Sequence, residues 1–520
     1  MFSSRGCKFV LTLLLPVLLL PLPLLWRTEA ARCLYVLVLM GGYWLGELLP
    51  IPVTSLLPVV LFPTLDIMTS AEVSLFYMKN SCMLFIGGLM VAIGIEHSNL
   101  HRRVGLRVLL WVGSSPRLVL LGFMLPTAFL SMWISNTAST AMMIPILEAV
   151  LVELGTEHRT MMMLSIAFSA NIGGTATLIG TPPNLIMYEY INKFSGHPVT
   201  FGSWMILCIP LMAINLLLCW VWLQLLYLPL PCKTGGQKVE AERQESVRRL
   251  LRARYEDLGS LTRHEKTVLV MFLVLVLLWM FRSPGFAPGW ETLFAPGVSD
   301  AVPVMFISLL MFVIPVTEEG GTMLTWSLVQ SKLSWGVIIL LGGGFALAEG
   351  AERSCLTFWV GEQLSRLSFL SPQILQIIIC SLVSCITQVA SNVATASMIL
   401  PVLIQLSTVL EVNPLYLMLP ATLVSSLAFF LPVSTAPNAI GVLADTDYLY
   451  EFYHFIAVHA ASGMKATEMM KSGAVLTVLT GLTTILSILT IGDFVFGLSE
   501  YPAWAPHTNT SQITSKYDCF

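Results

Sequence analysis

SMWISNTASTAMMIPIL, at Ser131–Leu147, recurs later in the chain as TQVASNVATASMILPVL, at Thr387–Leu403. A second motif follows each copy, reading GTPPNLI at Gly180–Ile186 and STAPNAI at Ser434–Ile440. A glycine pair also precedes each copy. Because several polar motifs recur in the same order and at nearly the same spacing, the chain contains an internal repeat.

The composition is that of a protein embedded in a lipid bilayer. Of the 520 residues, 56% are hydrophobic and 11% are charged, whereas a soluble domain has roughly 25% charged residues. Apolar runs of about 20 residues, the length that crosses a bilayer as a helix, recur along the chain. The net charge of −3 gives no indication of nucleic-acid binding. We find no HExxH or GxSxG motif and no metal-ligand spacing among the cysteines, so an enzyme is not indicated.

The apolar runs and their breaks predict an all-α polytopic membrane protein with about eleven transmembrane helices and two re-entrant helix hairpins in inverted repeats. The first repeat covers residues 81–230, with a hairpin around 118–151 and a broken helix around 163–191. The second covers residues 335–495, with a hairpin around 372–410 and a broken helix around 415–443. Scaffold helices at 1–80 and 267–334, a cytoplasmic loop at 231–266 and an extracellular tail at 496–520 complete the predicted domains.

Lysine and arginine in the short loops predict the orientation. One basic loop holds Arg102, Arg103, Arg107 and Arg117, and the 231–266 loop is also basic. These loops predict a cytoplasmic N-terminus and an extracellular C-terminus. Asn509 begins an Asn-Thr-Ser sequon in the extracellular tail, which is a candidate glycosylation site.

The repeated motifs have the chemistry of an ion and anion site. Ser135–Asn136–Thr137 and Ser391–Asn392–Val393 interrupt segments that are too polar at their centre to face lipid. An asparagine offers a carbonyl oxygen to sodium and amide protons to an anion. The helix that starts after each turn points its N-terminus at the same place, which favours a carboxylate or a sulfate. The prolines that follow in each half free backbone carbonyls, which sodium can also use.

These motifs, together with LFIGGLMVAIGIEHSNLHRRVGLRVLLWVG and NPLYLMLP, resemble the divalent-anion/sodium symporter family, and within it the animal sodium-coupled dicarboxylate and citrate carriers. The resemblance covers nearly the whole chain. It implies a plasma-membrane homodimer that transports sodium with a di- or tricarboxylate such as succinate or citrate, and it implies no prosthetic group. One sodium site is implied around Ser131, Ser135, Asn136 and Gly180, and a second around Thr387, Ala390, Asn392 and Ser434. The anion is implied to contact Ser135, Asn136, Thr137, Ser391, Asn392, Val393 and Thr435.

The chain departs from the family pattern at several positions, namely Glu349, Gln388, Val393, Ala436 and an extra stretch at 447–461. These positions bear on substrate preference. Two other functions stay open, a sodium-coupled sulfate cotransporter of the same family and a sodium-independent anion channel or exchanger. The sequence leaves the preferred anion, the sodium stoichiometry and the affinity open.

Overall fold

The computed structural model describes residues 4–113, 115–154, 158–192, 199–228, 237–283, 288–294, 297–316, 321–364, 370–443 and 466–505. Its regular elements in these ranges are helices, apart from one isolated bridge between Pro315 and Thr322. The predicted glycosylation site at Asn509 and the stretch at 447–461 lie outside the described residues.

The first half of the chain contains the following α-helices: α1 Ser4–Leu19, α2 Pro21–Leu25, α3 Glu29–Gly46, α4 Ile51–Thr54, α5 Leu57–Thr64, α6 Ser70–Leu75, α7 Asn80–His97, α8 Leu100–Val112, α9 Pro116–Ser131, α10 Asn136–Leu154, α11 Arg159–Gly174, α12 Pro182–Asn192 and α13 Phe201–Tyr227.

The second half contains these: α14 Gln237–Glu256, α15 Arg263–Met280, α16 Ala301–Val313, α17 Trp326–Lys332, α18 Trp335–Arg353, α19 Leu356–Leu364, α20 Pro372–Thr387, α21 Asn392–Val409, α22 Pro414–Ser425, α23 Ala436–Leu443, α24 Ala466–Ser487 and α25 Asp493–Phe496.

Among the described residues, six helical segments are long and apolar enough to cross a membrane, and five more apolar helices are 10–17 residues long. The Ser-Asn and proline motifs account for several of the short helices, because each motif interrupts an apolar run that would otherwise continue as one helix. Residues 118–151 divide into α9 and α10, and residues 374–410 divide into α20 and α21. The count of about eleven spans and the re-entrant course of these hairpins stay predictions.

The two helices that carry the repeated glycine pairs run antiparallel. Glu96, at the end of α7, pairs with Lys332, which ends α17 shortly before α18 begins. At the opposite end, Arg353 of α18 lies 2.6 Å from Glu72, shortly before α7 begins. An antiparallel course is what an inverted repeat requires.

The two basic segments lie at the same end of the molecule. Arg103 of α8 bonds Glu265 of α15 at 2.7 Å and the backbone carbonyl oxygens of Leu258, Gly259 and Ser260. Lys8 of α1 donates to the backbone oxygen of Glu47, at the end of α3. This point lies close to the start of α18, because Pro52, a few residues after Glu47, faces Gly336. The N-terminal helix and both basic segments therefore share one end, as the sequence predicts.

The segment predicted as a cytoplasmic loop, residues 231–266, contains a 20-residue helix, α14. Ion pairs one turn apart support it, between Glu245 and Arg249 and between Arg252 and Glu256. Its apolar residues Val247 and Leu251 are buried in the same core as α9, α10 and α11. The sequence did not predict this helix because its mean hydropathy is low. Its apolar face nevertheless packs on the core.

Candidate functional site

A cavity of ≈ 540 Å³ lies where the two repeats meet. It is bordered by residues from both Ser-Asn motifs and from both proline motifs, and nine of the predicted site residues line it: Ser135, Asn136, Thr137, Gly180, Ser391, Asn392, Val393, Ser434 and Thr435. Ser131, Thr387 and Ala390 are buried and do not line it. The structure therefore brings together side chains that are far apart in the sequence.

Four helices begin at the cavity wall. α10 begins at Asn136, α21 at Asn392, α12 at Pro182 and α23 at Ala436, and each of these residues lines the cavity. The N-terminus of a helix carries a partial positive charge, and those of α10 and α21 also present backbone N–H groups, whereas α12 begins with two prolines, which have none. The cavity wall is therefore suited to an anion.

In the first repeat, three oxygen atoms gather behind the cavity. The hydroxyl oxygen of Ser131 lies 2.6 Å from Asn136 Oδ1 and 2.7 Å from the backbone oxygen of Ala170. One hydroxyl proton satisfies one of these contacts at a time, so the other is a close approach of two oxygen atoms without a proton. A cation coordinated by the three oxygens would relieve it, as expected for a hard ion that prefers oxygen ligands.

The second repeat reproduces this arrangement. Thr387 Oγ1 lies 2.9 Å from Asn392 Oδ1 and 2.5 Å from the backbone oxygen of Ser425. Thr387 and Asn392 take the places of Ser131 and Asn136, and the carbonyl again comes from the end of the helix that precedes the break. The pseudo-symmetry of the sequence thus extends to individual hydrogen bonds.

Position 174, the last of α11, accommodates only a glycine, because the first oxygen cluster leaves no room for a side chain. A Cβ at this position would lie 2.5 Å from Asn136 Oδ1. A Cβ at Gly180 would lie 2.4 Å from the Gly174 carbonyl oxygen. Two glycines therefore allow the interrupted segment to pack against Asn136.

The asparagine of each proline motif holds the interrupted segment together. Asn184 Nδ2 donates to the carbonyl oxygens of Gly174 and Thr177, at 3.4 and 2.8 Å. Asn438 Nδ2 donates to the carbonyls of Ala428 and Leu431, at 3.0 and 3.2 Å. These four carbonyls are freed by the breaks, but the side-chain amides already bond them. That freed carbonyls bind sodium stays a prediction, because a carbonyl oxygen has two lone pairs.

Two buried polar residues at or next to the cavity were not predicted from the sequence as binding residues. Asn171 is fully buried, lines the cavity and bonds to residues of both repeats. Gln388 accepts a hydrogen bond from the Phe430 backbone N–H at 2.8 Å and so ties the hairpin turn to the second interrupted segment. Asn171 has no counterpart asparagine in the second repeat, so the repeat comparison that identified the other residues passed over it.

Among the described residues lining the cavity, Glu47 is the one charged side chain. Arg353 lies elsewhere and bonds Glu72 and Glu349, at 2.6 and 3.2 Å. Glu47 and the exposed Ser334 border the cavity toward the end of the molecule that holds the basic segments. The cavity therefore reaches that end, and the charge of a bound anion is not offset by an arginine or lysine among the described lining residues.

Residues 5–496 match the family model described as the sodium:sulfate symporter transmembrane region. The chain is 40% identical to rat solute carrier family 13 member 2, covering 97% of this chain and 95% of the rat protein. It is 37% identical to the mouse Na(+)/citrate cotransporter, covering 98% and 100% of the two chains. It is 35% identical to mouse Na(+)/dicarboxylate cotransporter 3, covering 99% and 96%. The chain therefore belongs to the sodium:sulfate symporter family, whose members are multi-pass membrane transporters and not enzymes.

Proposed function

We propose that this chain is a sodium-coupled symporter that imports dicarboxylates such as succinate, and also citrate, by alternating access. The observation that carries the proposal is the cavity, where two pseudo-symmetric hydroxyl–amide–carbonyl clusters stand beside four helix N-termini. The clusters suit sodium and the helix N-termini suit an anion. The names of the mouse relatives, which specify sodium with citrate and sodium with dicarboxylate, support the same cargo.

The proposed binding sites are those the resemblance implies. One sodium ion binds at Ser131, Ser135, Asn136 and Gly180, and the second binds at Thr387, Ala390, Asn392 and Ser434. The anion binds between them, at Ser135–Thr137, Ser391–Val393 and Thr435. The short oxygen contacts around Ser131 and Thr387 support the cation sites.

We also propose a homodimer in the plasma membrane with the N-terminus in the cytoplasm and the C-terminus outside. Basic residues gathered at one end support this orientation through the positive-inside rule. With that orientation, the cavity described here borders the cytoplasmic side. The structure then corresponds to the state of the transporter that follows release of the cargo into the cell.

The test is uptake of labelled succinate, citrate and sulfate into cells that express the chain, with sodium or choline outside. We expect sodium-dependent uptake of succinate, with sulfate carried poorly. Equal succinate uptake in sodium and in choline would contradict sodium coupling and favour a channel or exchanger. Sodium-dependent uptake of sulfate alone would replace the carboxylate by the anion that the family description names.

A further inference from the structure

Each repeat contributes one part of the polar cavity wall and the residues behind it, and we call each part a half-site. Asn171 bonds to both half-sites at once. Its Nδ2 atom lies 3.3 Å from the carbonyl oxygen of Ala428, 3.1 Å from Thr435 Oγ1 and 3.2 Å from Asn438 Oδ1. Its Oδ1 atom accepts from Asn136 Nδ2 at 3.5 Å. The side chain is fully buried, so water does not replace these partners.

The Ala428 carbonyl sets the direction of this network. A backbone carbonyl only accepts, so the Asn171 atom that faces it must be the Nδ2 donor. Oδ1 then faces Asn136, which must present its own Nδ2. The Oδ1 atom of Asn136 is consequently directed to Ser131, into the oxygen cluster of the first repeat. A carbonyl of one repeat thus determines which atom of Asn136 faces the proposed sodium ion in the other.

The same network determines the role of the Thr435 hydroxyl. Its oxygen receives Asn171 Nδ2 at 3.1 Å and the Asn438 backbone N–H at 3.4 Å. The Asn171 amide has two protons for three acceptors, so the proton not directed at the Ala428 carbonyl is shared between Thr435 Oγ1 and Asn438 Oδ1. Because it accepts from two donors, the Thr435 hydroxyl has its proton left to donate. Thr435 lines the cavity, so this proton is available to an anion there.

The second repeat does not contain the same bridge. Ser426 occupies the corresponding position, and its Oγ lies 3.4 Å from Thr181 Oγ1, which mirrors the contact between Asn171 and Thr435. Serine is too short to span both half-sites. Asn184, the counterpart of Asn438, keeps a buried Oδ1 without a hydrogen-bond partner. Of the described residues, Asn171 alone links Asn136 to Thr435.

We propose that Asn171 is a positioning residue that joins the two half-sites, turning Asn136 Oδ1 toward the first sodium ion and Thr435 toward the anion as a proton donor. The inference rests on the proposed function and adds to it, because it makes sodium affinity and anion affinity depend on one side chain. Neither Ser-Asn motif contains this residue.

The first test replaces the bridge by the residue that the other repeat carries. Asn171→Ser should raise the half-saturating concentrations of sodium and of succinate together, each by roughly tenfold, as expected for loss of buried hydrogen bonds. Asn215→Ala is the matched control. Asn215 is an equally buried asparagine, but it accepts from Thr483 between α13 and α24 and does not line the cavity. A variant that only weakened the fold would lower surface abundance and leave both concentrations unchanged.

Sodium-dependent thermal stabilisation of the detergent-solubilised chain gives the same sodium midpoint without requiring delivery to the cell surface. Wild-type dependence on sodium together with unchanged midpoints in Asn171→Ser would overturn the positioning role and leave the proposed function standing. If sodium neither stabilises nor drives the wild-type chain, the proposed function fails and this inference fails with it.

Discussion

At the scale of single residues, the site depends on polar side chains that are buried together. Their hydrogen-bond acceptors outnumber the protons available to them. Ser131, Asn136 and Asn171 form one continuous network, while Thr387 and Asn392 form its shorter counterpart. Leaving a buried polar group unpaired costs about 1–3 kcal/mol. Replacing one member of the network therefore leaves a polar group of another member unpaired.

The two motif asparagines should be individually essential. Asn136→Ala and Asn392→Ala each remove an oxygen from a cation cluster and an amide donor at the cavity wall. We expect each variant to reach the cell surface and to transport no succinate. Ser139→Ala is a local control, because that hydroxyl bonds only the Ser135 carbonyl and lies outside the cavity wall. Normal uptake by either asparagine variant at normal surface abundance would contradict the proposed sites.

The asparagines of the proline motifs should differ from each other in effect. Asn438 bonds two carbonyls and the Ser434 hydroxyl and also accepts from Asn171, whereas Asn184 bonds two carbonyls alone. Asn438→Ala should therefore lower the melting temperature and the uptake more than Asn184→Ala, with a difference of about 1–3 kcal/mol in stability. Thermal unfolding of the two purified variants measures this. Equal losses would show that the extra bonds of Asn438 contribute nothing.

At the scale of helices, buried charges hold the basic end together. Arg103 and Glu265 have side chains exposed by 9% and 3%, and the arginine also bonds the 258–260 backbone. Burial alone would raise the pKa of Glu265, but hydrogen bonds from Arg103 and Thr262 outweigh it and hold the pKa below its ordinary value. The pair therefore ties α8 to the start of α15 as an ionised contact at neutral pH.

Arg103→Ala should destabilise the chain by about 3–5 kcal/mol, because it leaves a buried carboxylate without its partner. Arg102→Ala, at the exposed neighbouring position, is the control. Because the pKa of Glu265 is lowered in the fold, the contribution of the pair is complete at pH 7 and declines in acid as the carboxylate is protonated. Melting temperatures at several pH values check both statements. Similar melting temperatures for the two variants would rule out this anchoring role.

At the scale of the whole molecule, the charges at the cavity favour one ionisation state of the proposed substrate over another. Glu47 is the one charged side chain among the described lining residues, and it is acidic. In the proposed cycle, two sodium ions and four helix N-termini would supply the positive potential, which suits a dianion better than a trianion. Transport of more positive charge than the anion carries is driven by about 2.3 kcal/mol per net charge per 100 mV.

Citrate uptake should therefore increase as the pH falls from about 7.5 to about 6, because the dianion fraction increases. Succinate uptake should change little over that range. Glu47→Gln should raise citrate uptake at about pH 7.5 by roughly twofold, since it removes a like charge near the cavity. The control is Asp257→Asn, which removes an exposed carboxylate at the same end of the molecule and should leave citrate uptake unchanged. Initial rates at fixed sodium and voltage provide the measurement. A fall in citrate uptake that follows the loss of the trianion would indicate a cationic residue at the site.

The sequence by itself determined the class of protein, the internal repeat and nine of the residues that line the cavity. These features reside in composition and in local motifs, and a duplicated motif such as Ser135–Asn136 and Ser391–Asn392 is visible without coordinates. The sequence also predicted that the basic segments share one end, because the distribution of positive charge in loops follows the membrane.

The tertiary structure alone decided which groups from distant segments are within hydrogen-bonding distance. It placed the Ala170 and Ser425 carbonyls beside Ser131 and Thr387, put Glu47 on the cavity wall and Arg353 away from it, and showed that Asn171 bridges the repeats. These contacts join segments of the chain that no local pattern relates, and backbone carbonyls are present at every residue. Only their positions after folding distinguish the few that contribute to the site.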